Sequence, residues 1–464
     1  VNAPARILIV GGGCVGMFTA LRLQRKLRRG EADVVVVEPQ PYMTYQPFLP
    51  EAAAGVLSPR HVVVPLRRVL SRCELIIGEV RSIDPTKRLA TVSTLAGAED
   101  GVGPVELAYD ALVLAPGSVS RTLPVPGLAE HGIGFTTVEE AIGLRNHVLE
   151  QMDIASSTRD AEVRAAALTF VFVGGGFAGV EALAELEDMA RHASRYYHNV
   201  DRDDMRWVLV EASDRLLPEV DPELSRYAVR ELRRRGVDVR LGTRLESCLD
   251  RTVALDDGAR LASRTLVWTA GVRPHPVLAD TGLPLDERGR LCSSPTLKVQ
   301  GTERVWAAGD AAAVPDLTRP GQDCAPNAQH AVRQARVLAD NIVAELRGAP
   351  PKEYRHAHVG SVASLGLHKG VAHVHGRTFT GWPAWFTHRT YHLSRVPTVN
   401  RKARIMAEWT LAGLFKREIV SLGSLEHPRA GFEAAAGVLP PGSTPRPGNA
   451  SPRGDQPPMG RTEP

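Results

Sequence analysis

Cysteine is scarce in this chain and badly spaced for structural use. The five are Cys14, Cys73, Cys248, Cys292 and Cys324. The count is odd and no C-x-x-C occurs, which argues against a disulfide framework, a structural zinc site and a dithiol redox centre. A reducing cytoplasm is the expected setting. Long apolar runs are missing as well: no stretch reaches 18 residues, so no membrane-spanning helix is expected. The chain opens almost at once on ARILIV, without a charged segment followed by an apolar one, so no secretion signal is expected. Charge of one sign is also in short supply. The net charge is +4, and no basic block interleaves aromatics before residue 380, which argues against a nucleic-acid partner.

What is present is the composition of a soluble globular protein, 43% hydrophobic and 23% charged, over 464 residues. At roughly 150 residues per domain the length calls for two or three. The rhythm is strand, glycine turn, helix, strand. Arg6–Val10 is a short apolar run, Met17–Leu27 has helical spacing, and DVVVVE (33–38) is β-branched. The pattern restarts with a strand over Leu168–Val173, a helix from Val180 to about Ala190 and the strand WVLVE, ending at Glu211; YYHNVDRDD is the polar loop between the last two. Such alternation predicts parallel sheets covered by helices. A helix over Ala328–Leu346 follows Pro326. Residues 438–464 hold eight prolines and little else apolar, and predict a disordered tail.

The glycine turn occurs twice, as ILIVGGGCVGM and VFVGGGFAGVE. In the first, Gly11, Gly13 and Gly16 match G-x-G-x-x-G between a strand and a helix. The first glycine permits the tight turn, the second lets backbone approach a pyrophosphate, and the third lets helix and strand pack closely. The helix N-terminus then offers free N–H groups to the phosphates. Glu38 ends the next strand, where a carboxylate accepts ribose hydroxyls. The second copy is Gly174, Gly176 and Gly179. Its acid, Glu211, stands 32 residues past Gly179 rather than the usual ~20, a delay explained by the polar loop. A carboxylate there favours NADH over NADPH by repelling a 2′-phosphate, although Arg215 lies close by. A solvated strand end is the structural explanation of the same glutamate. Two dinucleotides on one chain imply electron transfer between a flavin and a nicotinamide.

Three further phrases end strands in glycine: YDALVLAPGS with Ala115 and Gly117, LVWTAGVRP with Gly271, and RVWAAGDAA with Gly309 and Asp310. With them the chain resembles the two-dinucleotide flavoprotein reductases over about residues 5–435. GGGFAGVE, WTAGVRP, PNAQHAVRQA and a basic, aromatic C-terminal segment make it most similar to the type II NADH:quinone oxidoreductases. The resemblance implies an α/β fold: two Rossmann-like dinucleotide-binding domains of three-layer ββα type with a C-terminal helical, membrane-docking segment. It implies an FAD-binding domain over 1–120 and 291–370, an NADH-binding domain inserted at 121–290, the docking or interface segment at 371–435 and the tail at 436–464.

The resemblance also implies roles. FAD, bound without a covalent bond, would sit on Gly11, Gly13, Gly16 and Glu38, with Asp310 on its ribityl chain or pyrophosphate. NADH would sit on the second turn. The helix starting near Asn327 would point its positive end at the flavin pyrimidine. Glu181 would lie near the nicotinamide–flavin contact, and Gln329, with Gln334 close to a second family position, would face a quinone. PYMTYQPFLPEAAAG (41–55) would pack near the flavin ring. Ordinary structural explanations stand beside these: a helix cap for Asp310 and for Asn327, a helix-terminal carboxylate for Glu181, a plain loop core for 41–55, and a packing role for His330, which otherwise suggests a proton donor.

In residues 380–417, Trp382, Trp385, Phe386, Tyr391, Trp409 and Phe415 are flanked by Arg389, Arg395, Arg401, Lys402, Arg404, Lys416 and Arg417, against the single acid Glu408. Ile405, Met406, Trp409, Ala412 and Gly413 share one helical face. Rings with basic flanks suit the surface of an anionic bilayer, and an interface between two copies or a core helix explains the pattern equally. The expected activity is NADH oxidation by a quinone, in the cytoplasm or on the inner face of the cell membrane. The rivals are a sulfide:quinone reductase, for which Cys324 lacks a clear partner cysteine, a ferredoxin or other protein-acceptor reductase, and a redox-sensing protein that binds nucleotides without turnover.

Overall fold

Ile7 to Val10 are buried on both faces because their strand, Ala5–Val10, runs inside a parallel sheet. Such strands read as continuous apolar runs rather than alternating ones. Each of these side chains contributes about 1.5–3 kcal/mol by leaving water. The computed structural model of the chain describes residues 4–420, except 102, 357–359, 416 and 418. The expected tail at 436–464, the stretch 421–435 and Lys416 therefore lie outside the described residues.

The first sheet has seven strands in the spatial order Val305–Ala307, Ala111–Leu114, Ala5–Val10, Ala32–Glu38, Glu74–Asp84, Leu89–Thr94 and Val105–Ala108. The first five are parallel; the last two return antiparallel. The second sheet is parallel throughout, in the order Gly132–Ile133, Thr265–Trp268, Thr169–Val173, Arg206–Glu211 and Asp238–Leu241. It is wholly contained between two strands of the first. The chain leaves the first sheet after Leu114, builds the second, and returns at Val305 to close the first beside Leu112–Leu114.

The two glycine-rich strands sit alike. Ala5–Val10 has Ala32–Glu38 on one side and Ala111–Leu114 on the other. Thr169–Val173 has Arg206–Glu211 on one side and Thr265–Trp268 on the other. Each is a topological switch point, where a crevice opens beyond the carboxyl ends of the strands.

The helix Cys14–Lys26 packs on the first sheet beside Ala328–Leu346, and Arg22 and Lys26 clamp Asp340 between them at 2.6 and 2.8 Å. In the second unit Phe170 stacks on Trp207 with ring centres 4.4 Å apart. The polar stretch 195–205 does connect the helix Phe177–Ala193 to the strand at 206, with two short 3-10 turns inside it. After Gly360 come an antiparallel sheet of three strands (Gly360–Ser364, Gly370–Val374, Arg377–Thr380) and the helices Trp382–Arg395 and Val399–Phe415. Among the described residues no helix is long and apolar enough to cross a membrane.

Candidate functional site

The crevice at each switch point is made by the same set of bonds. Gly11 N–H donates to Val37 O and Gly174 N–H to Val210 O, both at 2.9 Å. On the other side Ala115 N–H donates to Val10 O at 2.9 Å, and Thr269 N–H to Val173 O at 2.8 Å. Gly11 and Gly174 have φ of +98° and +118°, and a Cβ there would strike Ala115 O or the Thr269 carbonyl. A Cβ on Gly16 would fall 1.7 Å from Gly11 O, and one on Gly179 2.0 Å from Gly174 O. These four glycines are required by the fold. Gly13 and Gly176 differ: a Cβ on either meets nothing within 4 Å. Each is the N-cap of its helix, and neither supplies a side-chain cap. The helix N–H groups and the positive dipole end thus face a space that backbone alone lines, which fits a pyrophosphate.

A carboxylate closes each turn. Gly12 N–H donates to Glu38 Oε2 at 2.5 Å, and Gly175 N–H donates to Glu211 Oε2 at 2.5 Å. Burial pushes the Glu38 carboxyl above its usual range, although the Gly12 amide works against that. Ser213 N–H and Oγ–H hold the second oxygen of Glu211.

Asp310 is brought to the first crevice by the strand that closes the sheet. It sits within a short 3-10 turn (Gly309–Ala311) and caps no helix; its Oδ2 accepts from Ser118 Oγ–H at 2.8 Å. Burial raises its pKa, opposed by that hydrogen bond. Gly309 N–H donates to the buried Gln334 Oε1 at 2.8 Å, so Gln334 ties the long helix to the Gly-Asp turn. A cavity of about 520 Å³ runs from Asp310 and Ser118 past Pro274 and Pro326. Gly117 and Gly271, both at positive φ, flank the antiparallel pairing of Ser118–Ser120 with Val272–Pro274. Gly11, Gly13, Gly16, Glu38, Ala115, Gly309 and Asp310 therefore converge on one crevice, and Gly174, Gly176, Gly179 and Glu211 on the other. Asn327 accepts from His330 N–H and so does cap its helix. The His330 ring is buried with Nδ1 2.8 Å from Tyr354 Oη, which is a packing arrangement.

Glu181 and Gln329 both bond the strand Gly360–Ser364. Gln329 Nε2–H donates to Gly360 O at 2.7 Å, and Ser364 N–H donates to Glu181 Oε1 at 2.8 Å. The helix of Glu181 starts at Phe177, earlier than its periodicity suggests, because the glycine turn itself begins it. Glu181 therefore lies in the second turn, buried, with His388 Nε2 3.1 Å away.

The rest of this cluster is not apparent from the sequence. Glu51 and Glu185 are 2% and 1% exposed. Ser364 Oγ–H donates to Glu185 Oε1 at 3.0 Å. Trp409 Nε1–H and Arg389 Nη2 reach Glu51 Oε2 at 2.7 and 3.2 Å, and Arg389 lies over the rings of Trp385 and Trp409. Arg417 stands 3.7 Å from Glu185. Arg389 and Arg417 are thus not part of an outward basic fringe: each is drawn inside by a buried carboxylate. Nor does the C-terminal helix have one apolar contact face. Ile405 is buried and Trp409 partly so, while Met406 and Gly413 are exposed, because the helix rests on the 41–55 segment along a narrow seam where Phe48 meets Trp409. Glu408 accepts from Ser58 N–H on the same seam. The available signal was a pair of acids at i and i+4 (Glu181, Glu185) within the apolar run 180–186.

All five cysteines are free. Burial and the charge of Asp310 push the Cys14 thiol up to about 11; burial and Asp316 do the same for Cys324.

The sequence family described as pyridine nucleotide-disulphide oxidoreductase matches residues 5–335. The type II NADH:quinone oxidoreductase Ndh of Mycobacterium tuberculosis is 30% identical over 428 residues, 89% of each chain. The type II NADH:quinone oxidoreductase of Staphylococcus haemolyticus is 29% identical over 82% of this chain and 92% of its own. In structure, NDH2 from Plasmodium falciparum in complex with NADH superposes with a TM-score of 0.81, over 90% of this chain and 99% of that one, at 16% identity, a likeness of fold. The motif-based resemblance and the α/β fold are both borne out, and the chain belongs to the pyridine nucleotide-disulphide oxidoreductase family, among the type II NADH:quinone oxidoreductases.

Proposed function

We propose that this protein passes two electrons from NADH through a bound flavin to a quinone. The observation that carries the reading is the duplicated crevice: two uncapped helix N-termini over Gly13 and Gly176, each closed by a carboxylate on the neighbouring glycine amide. The flavin is FAD, held on Gly11, Gly13, Gly16 and Glu38, with Asp310 and Ser118 as its polar contacts beyond the pyrophosphate. It supplies the capacity to take up a hydride and release electrons to the acceptor. NADH takes the second crevice, where Glu211 accepts the ribose hydroxyls and excludes a 2′-phosphate. Glu181 and Gln329 serve the meeting point of donor, flavin and quinone, and the protein's share is position and electrostatics. Sheet membership supports an FAD-binding unit over 1–120 and 291–370 with the NADH-binding unit at 121–290 between its parts, followed by an interface segment at 371–435.

That segment exposes Trp382 and Phe386, stacked at 5.3 Å, together with Met406, Leu411, Leu414 and Phe415. With Arg395, Arg401 and Arg404 nearby, the face suits an anionic lipid surface, where a lipid quinone is met. Pairing of two copies is the competing use of the face; sedimentation with anionic vesicles beside a mass measurement separates them. A sulfide-oxidising reading needs nucleophilic thiols, and Cys14 and Cys324 are held neutral at pH 7.

The deciding experiment is anaerobic mixing of the yellow protein with NADH and then with a quinone. Bleaching of the flavin by NADH and return of colour with quinone is the expected result. Bleaching by sulfide alone, or by NADPH and not NADH, overturns the reading.

A further inference from the structure

A second cavity, of about 380 Å³, opens at the opposite end of the first sheet from the cofactor crevice. It lies where strands begin rather than where they end: Tyr109 and Asp110 precede the strand Ala111–Leu114, and Arg304 precedes Val305–Ala307. Its size falls among those of small-molecule sites, about 300–1,000 Å³. Arg88 reaches it from the turn between the antiparallel strands Glu74–Asp84 and Leu89–Thr94, and Thr281 from the 3-10 turn Pro276–Thr281. The lining carries two guanidiniums, Arg88 and Arg304, and two carboxylates, Asp110 and Glu303. Among the described residues none of the four makes an ion pair; Asp110 Oδ2 accepts from Arg6 N–H at 2.8 Å. Tyr109 is 6% exposed, and its Oη is enclosed without a hydrogen-bond partner, which is costly for a buried hydroxyl. Burial and the charge of Asp84 push that hydroxyl up to about 12 against the opposing charge of Arg88, so it stays a donor. Two segments run from this cavity to the one of 520 Å³: Val305 lines the first and Asp310 the second, and Thr281 and Pro274 are likewise divided between them. Leu112 N–H donates to Arg304 O at 2.9 Å, so Arg304 is held to the neighbouring strand at the cavity's rim.

We propose that this cavity is a further, non-redox ligand site that takes a phosphate monoester of a sugar. Arg88 and Arg304 come to the phosphate from two separate parts of the chain, and charge-assisted bonds from guanidiniums to phosphate oxygens are strong. The Tyr109 hydroxyl is the third donor, matching the three terminal oxygens of the ester. Asp110, with one oxygen left over from Arg6, and Glu303 accept from the sugar hydroxyls. A bare anion would meet the two carboxylates and a bare cation the two guanidiniums, so the lining calls for one molecule with an anionic end and a hydroxyl-bearing end. Its occupant bridges the antiparallel turn at Arg88 to the strand that closes the first sheet, and so tightens the segment that ends in Asp310. Occupancy of the site depends on neither the flavin nor the quinone assignment.

Isothermal titration of the holoprotein with ribose 5-phosphate, in excess NAD+ to keep the probe out of the nucleotide crevice, reads the site directly. Saturable binding with a Kd of about 1 mM or below is expected, with inorganic phosphate and ribose each about 10-fold weaker or more. Arg88→Asn, a residue that tolerates the φ of +55° found there, and Arg304→Gln are each expected to weaken binding about 10-fold or more. Neither variant should change NADH:quinone turnover measured without the sugar phosphate. Absence of saturable binding overturns the proposal, and so does binding that both variants leave intact. Inorganic phosphate binding as tightly as ribose 5-phosphate overturns the sugar contacts of Asp110 and Glu303, and tighter binding of an amino acid such as glycine overturns the ligand class. Hydrogen exchange read by mass spectrometry is the second arm and requires no variant. Ribose 5-phosphate is expected to slow exchange in the segment 304–310 and at the amide of Leu112; binding with exchange unchanged there overturns the placement.

Discussion

Glu211 accepts the Gly175 amide proton across 2.5 Å, which fixes one carboxylate oxygen at the mouth of the second crevice. Arg215 makes no ion pair with it, its guanidinium being bonded to the Pro218 carbonyl of its own loop. On the proposed assignment a nucleotide bearing a 2′-phosphate meets this carboxylate. Glu211→Ala is expected to lower kcat/KM for NADH and to narrow the NADH-to-NADPH ratio by about 10- to 100-fold, the value of losing hydrogen bonds to a charged group. Steady-state kinetics with both nucleotides check this, and an unchanged ratio places the ribose elsewhere.

The glycines of the first turn are expected to separate into two classes. Gly16→Ala forces a methyl group against the Gly11 carbonyl oxygen and should cost about 3 kcal/mol or more of stability. Gly13→Ala meets no protein atom and should melt within about 0.5 kcal/mol of the parent, while losing flavin. Calorimetry of the apo-protein together with a flavin titration distinguishes them.

Arg389→Met leaves Glu51 buried and uncompensated and is expected to cost about 3–5 kcal/mol. Adding Glu51→Gln, which still accepts from Trp409 Nε1–H, should recover a large part of the loss. Urea unfolding of both single variants and the double variant gives the coupling.

Asp310 gives a pH signature with a definite sign. Its folded pKa lies above the 3.8 of a free aspartate, so between the two values the native state binds more protons. Stability of the apo-protein therefore falls as pH rises through that window, and the loss is complete above the folded pKa. Asp310→Asn should raise the apo melting temperature at pH 7 by about 2–4 °C, reduce its slope with pH and weaken flavin binding. Glu38, shifted the same way, leaves part of the slope in place.

The sheets and turns were legible because their signals are local. A β-branched strand, a glycine at a fixed offset and an acid at the next strand end lie within about 45 residues, and both copies fold as read but for the earlier start of the second helix. The helix Ala328–Leu346 was legible to the residue. The buried cluster was not. Glu51 and Arg389 are 338 residues apart, and nothing in the periodicity of either segment marks its charge as inward. Arginines among tryptophans look the same whether the rings face lipid or a carboxylate. Gln329 stands out in the sequence by type and position, but the engagement of its amide nitrogen by Gly360 O, a partner outside its own motif, does not.

The return of the chain to its first sheet at Val305 sets an order on synthesis. The strand Val305–Ala307 and Asp310 leave the ribosome some 190 residues after Leu114, by which time every strand of the inserted sheet has been made. Domains generally fold as units as they emerge. The inserted unit can thus mature while the first sheet is still an unfinished edge, and on the proposed assignment flavin capture becomes a late event, completed only when the final parallel strand docks and brings Asp310 with it.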